Sequence, residues 1–492
     1  MKKISKFLVL ALVFAFGTAS CELDRFPADQ IEQTQAFKTV QDAQNLNRGL
    51  YNMLRGRREG IFAFTSEVQS DWLNATIEFG NRNGSPHRMD ETFLAGDLNL
   101  SNIWQAYYQL IANINNFLDN IGKVATTNQA QIDEVNNLTG QAHLMRALIY
   151  HELVIHWAKP YNAATAATDL GVPLVLTFNV TLRPARATVE NVYQQILRDI
   201  TQAKTLMPPG GIPRSERFTH DAALALEARV RLHMRDWPGV VAAAQPLITS
   251  NRYILLNTAA GLQQMWVNDM GTESIVQLFA SLTELGVANN IYWGFNPNPQ
   301  FWRPDFVPQQ WAIDIYDSAD LRRAIFMQPR NLVMGGIAYQ NIFVFGKFPG
   351  NPALFTGVTN HQHRSKVFRI AETILNLAEA QFHVNPTDAR TTLNLLRVAR
   401  NLPALTTNTD LLTHIQHERF RELVGEGFRL NDLKRWGMGV VRHDPQSTAF
   451  IMTGSSFHQM SVPATFPKLI WGIPTNELIT NPNIANQQNP GW

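Results

Sequence analysis

Residues 418–437 read ERFRELVGEGFRLNDLKRWG. Phe420, Leu423 and Val424 fall at i, i+3 and i+4, the apolar stripe of a helix, with Glu418, Arg419, Arg421 and Glu422 around it. Gly425-Glu426-Gly427 then interrupts, because glycine is a poor helix former. Beyond it Arg429, Asp432, Lys434 and Arg435 are interleaved with Phe428, Leu430, Leu433 and Trp436. Charges this dense among large apolar side chains predict ion pairs buried in a packed junction, and such pairs are tolerated only when fully partnered.

The stretch resembles the E-R-x-x-E-L-x-x-E-G-x-R-x-x-D-L-x-R-W-G signature of the SusD/RagB family. That resemblance implies a surface lipoprotein that captures nutrients for a TonB-dependent transporter. It extends outward. RIAETILNLAEA at residues 369–380 is similar to the family's R-x-A-E-x-x-L-x-x-A-E-A helix, and Asn394, Arg397 and Arg400 stand in family-like places on its partner helix. Residues 469–477 and 481–492 resemble the family's I-P-x-x-E and Q-N-P-G-aromatic ending. Asp320, Leu321 and Arg322 resemble its D-x-R element.

The N-terminus reads as a targeting segment. Lys2, Lys3 and Lys6 precede an apolar run from Phe7 to Phe16 and the small residues 17–20, the layout of a secretory signal too short for a membrane span. Cys21, the single cysteine of the chain, follows at once, and residues 18–21 resemble a bacterial lipobox. Cys21 is therefore expected to carry lipid and to tether the protein to the outer face of the outer membrane. Glu22 and Asp24 resemble the surface-export signal of such lipoproteins. No later apolar run approaches ~20 residues, so no spanning helix is expected.

Composition agrees with a globular domain: 45% hydrophobic and 17% charged over 492 residues. The formal charge of +2 includes the three leader lysines, and without them it is −1, so a basic nucleic-acid surface is not indicated.

Helical periods dominate residues 36–255. Residues 40–54, 101–121 and 133–157 carry amphipathic stripes, whereas residues 64–84 read as a loop over a helix end. Thr188 and Thr219 sit where N-caps belong, before Val189, Val192, Tyr193, Ile196 and Leu197 in one case and Leu224, Ala225, Ala228 and Leu232 in the other. The spacing of these helices is close to the ~34 residues of tetratricopeptide repeats, and the alanines suit closely packed helices. The fold expected is mainly α, a tetratricopeptide-like scaffold of helical hairpins carrying an irregular, loop-rich subdomain. Its divisions are a signal peptide at 1–20, a lipidated tether at 21–35, an N-terminal scaffold at 36–255, the loop-rich subdomain at 256–363 and the C-terminal family part at 364–492.

Residues 289–311, NNIYWGFNPNPQFWRPDFVPQQW, are the best candidate for ligand contact. Flat aromatic rings stack on the apolar faces of sugars while polar groups take the hydroxyls. Tyr292, Trp293, Asn296, Trp302, Arg303 and Asp305 supply that mixture. The family resemblance adds Asp71 and Trp72, because relatives often carry binding residues early in the chain. It also implies a SusC-like TonB-dependent partner. An oligopeptide is the alternative ligand, since RagB-like relatives imply it and residues 21–25 look RagB-like. A third reading is a purely structural transporter lid.

Enzyme motifs fail on geometry. His151 and His156 are five residues apart, about 140° around a helix, where the zinc-protease motif needs one turn. His361 and His363 lack a third ligand nearby. Glu422 and Glu426 could imitate paired glycosidase carboxylates, yet Arg419, Arg421 and Arg429 around them favour structural salt bridges. No catalysis, cofactor or metal is expected.

Overall fold

Threonine hydroxyls open several main helices. Thr188 Oγ1 accepts from Asn191 N at 3.2 Å and Thr219 Oγ1 from Ala222 N at 3.3 Å, the two caps expected from sequence. Thr39 forms a reciprocal capping box with Asp42 ahead of helix Val40–Arg55. The computed structural model describes residues 37–492 apart from 289, 293, 298–299 and 356–359.

The helices stack one upon the next. Leu98–Asn120 packs on Gln129–Trp157, which packs on Val189–Leu206, and His220–Met234 pairs with Trp237–Thr249. The order then skips more than a hundred residues. Helix Ile370–Val384 packs directly on Trp237–Thr249 and on its own partner Pro386–Ala399, and Leu411–Leu423 follows. Buried Ala222, Ala225, Ala228, Ala243 and Ala244 permit these close approaches. The scaffold is thus one helical stack assembled from both ends of the chain.

Two sequence expectations are corrected. Helix Gln129–Trp157 is not amphipathic throughout: from Leu138 onward nearly every side chain is buried, because neighbouring helices cover it on all sides. Residues 64–84 are not all loop: helix Ile61–Gln69 starts after Gly60, and strand Leu73–Ala75 follows. Thr65, Ser66, Glu67 and Gln69 are buried there, and buried polar residues erase the apolar period.

The intervening segment holds short sheets. Leu73–Ala75 pairs antiparallel with Phe306–Pro308, and Ser274–Gln277 with Lys366–Arg369. A four-stranded sheet runs in the order Phe295–Pro297, Gln300–Trp302, Met327–Met334, Ile337–Phe345. Its last hairpin turns on Gly335 and Gly336, both at positive φ (56° and 78°), as a tight hairpin turn requires. The Leu73–Ala75 pair and the four-stranded sheet cover a second apolar core of Phe64, Trp72, Trp266, Tyr292, Phe345 and Phe420, whereas Ile275, Val276, Val367 and Phe368 of the other pair join the larger core of the helical stack.

The two cores meet at the signature. Glu422, 1% exposed, accepts from Arg369 Nη1 at 2.7 Å, Arg400 Nε at 3.0 Å and Arg322 Nη1 at 3.0 Å. Glu418 takes Arg322 Nη2 and Arg421 Nη2, each at 2.6 Å. Glu273 holds Arg400 at 2.9 Å, and Asp320 holds Arg322 at 2.7 Å. Arg322 of the loop-rich segment, Arg369 of strand Lys366–Arg369 and Arg400, the cap of helix Pro386–Ala399, are thereby pinned to helix Leu411–Leu423. Lys347 Nζ donates to the carbonyls of Glu422 (2.8 Å) and Val424 (3.1 Å), which satisfies carbonyls at the helix C-terminus. Gly425 at φ 79° makes the break, and a side chain there would meet Phe345 at 2.5 Å.

Histidines of the failed zinc motif are packing residues. His156 stacks on Trp471 with centroids 4.3 Å apart, and His151 lies edge-on to His233 at 4.9 Å.

Candidate ligand-binding surface

The segment carrying the aromatic candidates is held against strand Leu73–Ala75. Besides the strand pairing, Gln309 N donates to Trp72 O at 2.8 Å, Thr76 N to Asp305 O at 2.9 Å and Asp305 N to Ile291 O at 3.0 Å. Candidates more than two hundred residues apart in sequence are therefore brought to one place. Within it they divide by depth.

Trp72 and Tyr292 form the floor. Both are 0% exposed, with centroids 6.0 Å apart, and each ring meets Phe345 at 4.9 Å. Their faces are spent on protein in this structure. The reason is the second core, which closes over strand Leu73–Ala75. Asp71 is likewise engaged: Arg429 Nε and Nη2 reach its two oxygens at 2.8 and 2.6 Å. Its backbone carbonyl accepts from Trp311 Nε1 at 3.0 Å.

Trp302 and Arg303 form the rim. Trp302 is half-buried and Arg303 exposed. The Arg330 guanidinium lies 5.5 Å above the Trp302 ring, and the Arg303 guanidinium 4.8 Å above Phe301. Asp305 sits below, buried, accepting from Arg82 Nε at 2.8 Å. Burial pushes its carboxyl above the usual range, against the pull of Arg82. Arg82 itself stays largely open, with 62% of its side chain exposed. The rim therefore offers aromatic rings bordered by cations, of which Arg303 and Arg82 are open to solvent, an arrangement that can stack on a ring and donate to its oxygens. Asn296 lies in strand Phe295–Pro297, opposite Phe301. Cys21 and Trp293 lie outside the described residues.

Sequence reasoning missed Arg82, Arg330 and the role of Trp311. The Gly335-Gly336 pair between alternating apolar runs is a hairpin signal, but it sets Arg330 opposite Ile342; only the parallel pairing of Trp302 with Leu332 brings Arg330 to the ring. The partnership of Arg429 with Asp71 spans 358 residues and has no local signal.

Beneath the floor Glu67 accepts from Trp72 Nε1 and from Gly427 N, both at 2.7 Å. Burial pushes its carboxyl up to about 7 despite those two donors. With the folded pKa above the unfolded value of 4.5, Glu67 contributes stability that is fully present below about pH 4.5. That contribution is lost as pH rises through about 7. Glu67→Gln is expected to remove it, so the variant gains stability relative to the parent between pH 5 and pH 8. Urea midpoints at the two pH values check this; an unchanged difference would refute the assignment.

Comparison with known proteins follows the same lines. A family model described as SusD-like, "Starch-binding associating with outer membrane", matches residues 23–232, and the SusD family model matches residues 334–492. The SusD-like protein P25 of Formosa agariphila is 23% identical, over 88% of this chain and 90% of that protein. A SusD superfamily protein from Bacteroides thetaiotaomicron has a TM-score of 0.79 at 25% identity, covering 92% of this chain and all of that one. A putative sugar-binding protein from Bacteroides vulgatus has a TM-score of 0.78 at 22% identity, covering 93% and 99%. Among the described residues no helix is long and apolar enough to cross a membrane. Matched over both its N-terminal and its C-terminal parts, the chain belongs to the SusD/RagB family.

Proposed function

We propose that the protein is a non-catalytic lipoprotein of the outer membrane, anchored through Cys21 and facing the cell exterior. In this reading it binds oligosaccharides and hands them to a SusC-like TonB-dependent transporter, acting as its lid. Support comes from the family itself and from relatives described as starch- or sugar-binding. The observation that carries it is the rim, where the half-buried Trp302 ring lies beneath the Arg330 guanidinium with the exposed Arg303 next to it. Trp72, Tyr292 and the Asp71–Arg429 pair serve as the rigid base of that rim, and Asp305 holds Arg82 by its guanidinium. Trp293 and Asn296 belong to the same segment and are proposed as further contacts. Aromatic stacking with cationic hydrogen-bond donors suits a sugar ring, and no bond is broken.

The test is calorimetric titration of the chain from residue 22 against polysaccharides, oligosaccharides and mixed peptides. Saturable sugar binding without product supports glycan capture, peptide binding alone would move the ligand to an oligopeptide, and reproducible hydrolysis would refute the non-catalytic reading. With a binding glycan in hand, Trp302→Ala is expected to weaken it about tenfold or more, the effect of losing a central aromatic contact. Arg303→Ala, on an exposed side chain, should weaken binding while leaving stability within about 0.5 kcal/mol. Unchanged affinity in both variants would place the glycan elsewhere.

A further inference from the structure

A cleft of about 710 Å³ opens between the C-terminal tail and the segment that follows helix Gln129–Trp157. Its wall mixes Phe466, Leu469 and Pro490 with Asn162, Thr165 and Gln488. Both its size and this mixture are those of a small-molecule site.

The charges of the cleft do not balance. Lys159, Arg186 and Lys434 line it against a single carboxylate, Asp169. Lys159 Nζ and Asp169 Oδ1 are 2.7 Å apart and offset each other. Arg186 and Lys434 remain, 5% and 8% exposed, and among the described residues neither has an ion-pair partner. Arg186 directs its N–H groups to the carbonyls of Trp157, Leu170, Gly171 and Gln487 and to Asn489 Oδ1. Those dipoles satisfy the donors and leave the charge. Lys434 Nζ donates to Ile155 O and Asn431 Oδ1, which uses two of its three N–H groups. Burial draws the Lys434 ammonium down to about 7, and it lowers Arg186 to about 10. A buried cation without a counter-charge is costly, and a fold that needed only packing here would be better served by an apolar side chain.

We propose that this cleft is a second binding site, whose ligand is a small molecule carrying a carboxylate. The carboxylate accepts from the remaining N–H of Lys434 in a charge-assisted hydrogen bond and neutralises the positive potential that Arg186 adds. The rest of the ligand lies on Phe466, Leu469 and Pro490, with Asn162 and Thr165 able to take hydroxyl or amide groups. The site shares no residue with the rim around Trp302, so it stands or falls independently of glycan capture there.

The experiment is a calorimetric titration of the full chain with D-glucuronate, N-acetylaspartate and D-glucose. Saturable binding is expected for at least one of the two carboxylates, and whichever binds better tells whether the charge comes from a sugar acid or an acidic peptide. Glucose should bind at least about tenfold more weakly, the scale of one charge-assisted hydrogen bond. Lys434→Gln and Lys434→Met should each lose about tenfold or more in affinity for the carboxylate while melting at or above the parent temperature, since both remove an uncompensated buried charge. A crystal soaked with D-glucuronate supplies a measurement that needs no variant, with density expected against Lys434. Absence of saturation with both carboxylates, equal binding of glucose, parental affinity in both variants, or density only elsewhere would each overturn the proposal.

Discussion

Glu422→Gln is expected to lower the unfolding free energy by about 3–5 kcal/mol, the cost of breaking a buried ion pair by removing one partner. Glu422 is the shared acceptor of Arg322, Arg369 and Arg400, all 0–1% exposed. These three guanidiniums hold its carboxyl well below the usual carboxylate range, against the effect of burial. Glutamine keeps the shape and removes the charge, so three buried cations lose a counter-ion that water cannot replace. Because Arg322 comes from the loop-rich segment, Arg369 from strand Lys366–Arg369 and Arg400 from the cap of helix Pro386–Ala399, the loss should be felt in both cores at once. The control is Glu216→Gln, which breaks the pair with Arg364 at 2.9 Å, where the two side chains are 47% and 32% exposed. That change should cost about 0–1 kcal/mol. Urea midpoints at pH 7 decide it, and equal shifts in the two variants would show that the junction is not what couples the cores.

Trp72→Ala should cost about 3–5 kcal/mol, as large-to-small changes of buried aromatics do. The indole fills the space between Phe345 at 4.9 Å, Tyr292 at 6.0 Å and Phe420 at 6.4 Å. Its Nε1 is also one of the two donors to Glu67, so the alanine variant leaves a cavity and a less satisfied buried carboxyl together. The variant should melt lower with or without ligand, unlike a rim variant, whose effect appears in affinity. Thermal melting of Trp72→Ala beside Trp302→Ala separates floor from rim. A Trp72→Ala protein that melts like the parent but fails to bind glycan would return Trp72 to the ligand-contacting set.

Local patterns in the chain were enough for much of the scaffold. The stripe from Val189 to Ile200, the caps at Thr188 and Thr219 and the glycine break after Val424 are readable within a few residues, because helix period and capping are short-range properties. The dense charges of residues 418–437 also announced a buried ionic junction, since few other settings tolerate them. The hairpin at Gly335-Gly336 carried a local signal too, although the pairing of Trp302 with Leu332 that brings Arg330 to the ring did not.

What the tertiary structure alone decided is which core each stripe faces and what lies over each ring. Helix Gln129–Trp157 is buried on all sides from Leu138 onward because other helices surround it, a fact its own period cannot hold. Glu422 needed three arginines, and nothing local says that they are Arg322, Arg369 and Arg400. Trp72 and Trp302 are the same residue type in similar loop-like contexts, yet one is sealed under Phe345 and the other stands half-open under Arg330. Period and capping are written into neighbouring residues; pairing and depth depend on segments hundreds of residues away, and only the closed fold brings those together.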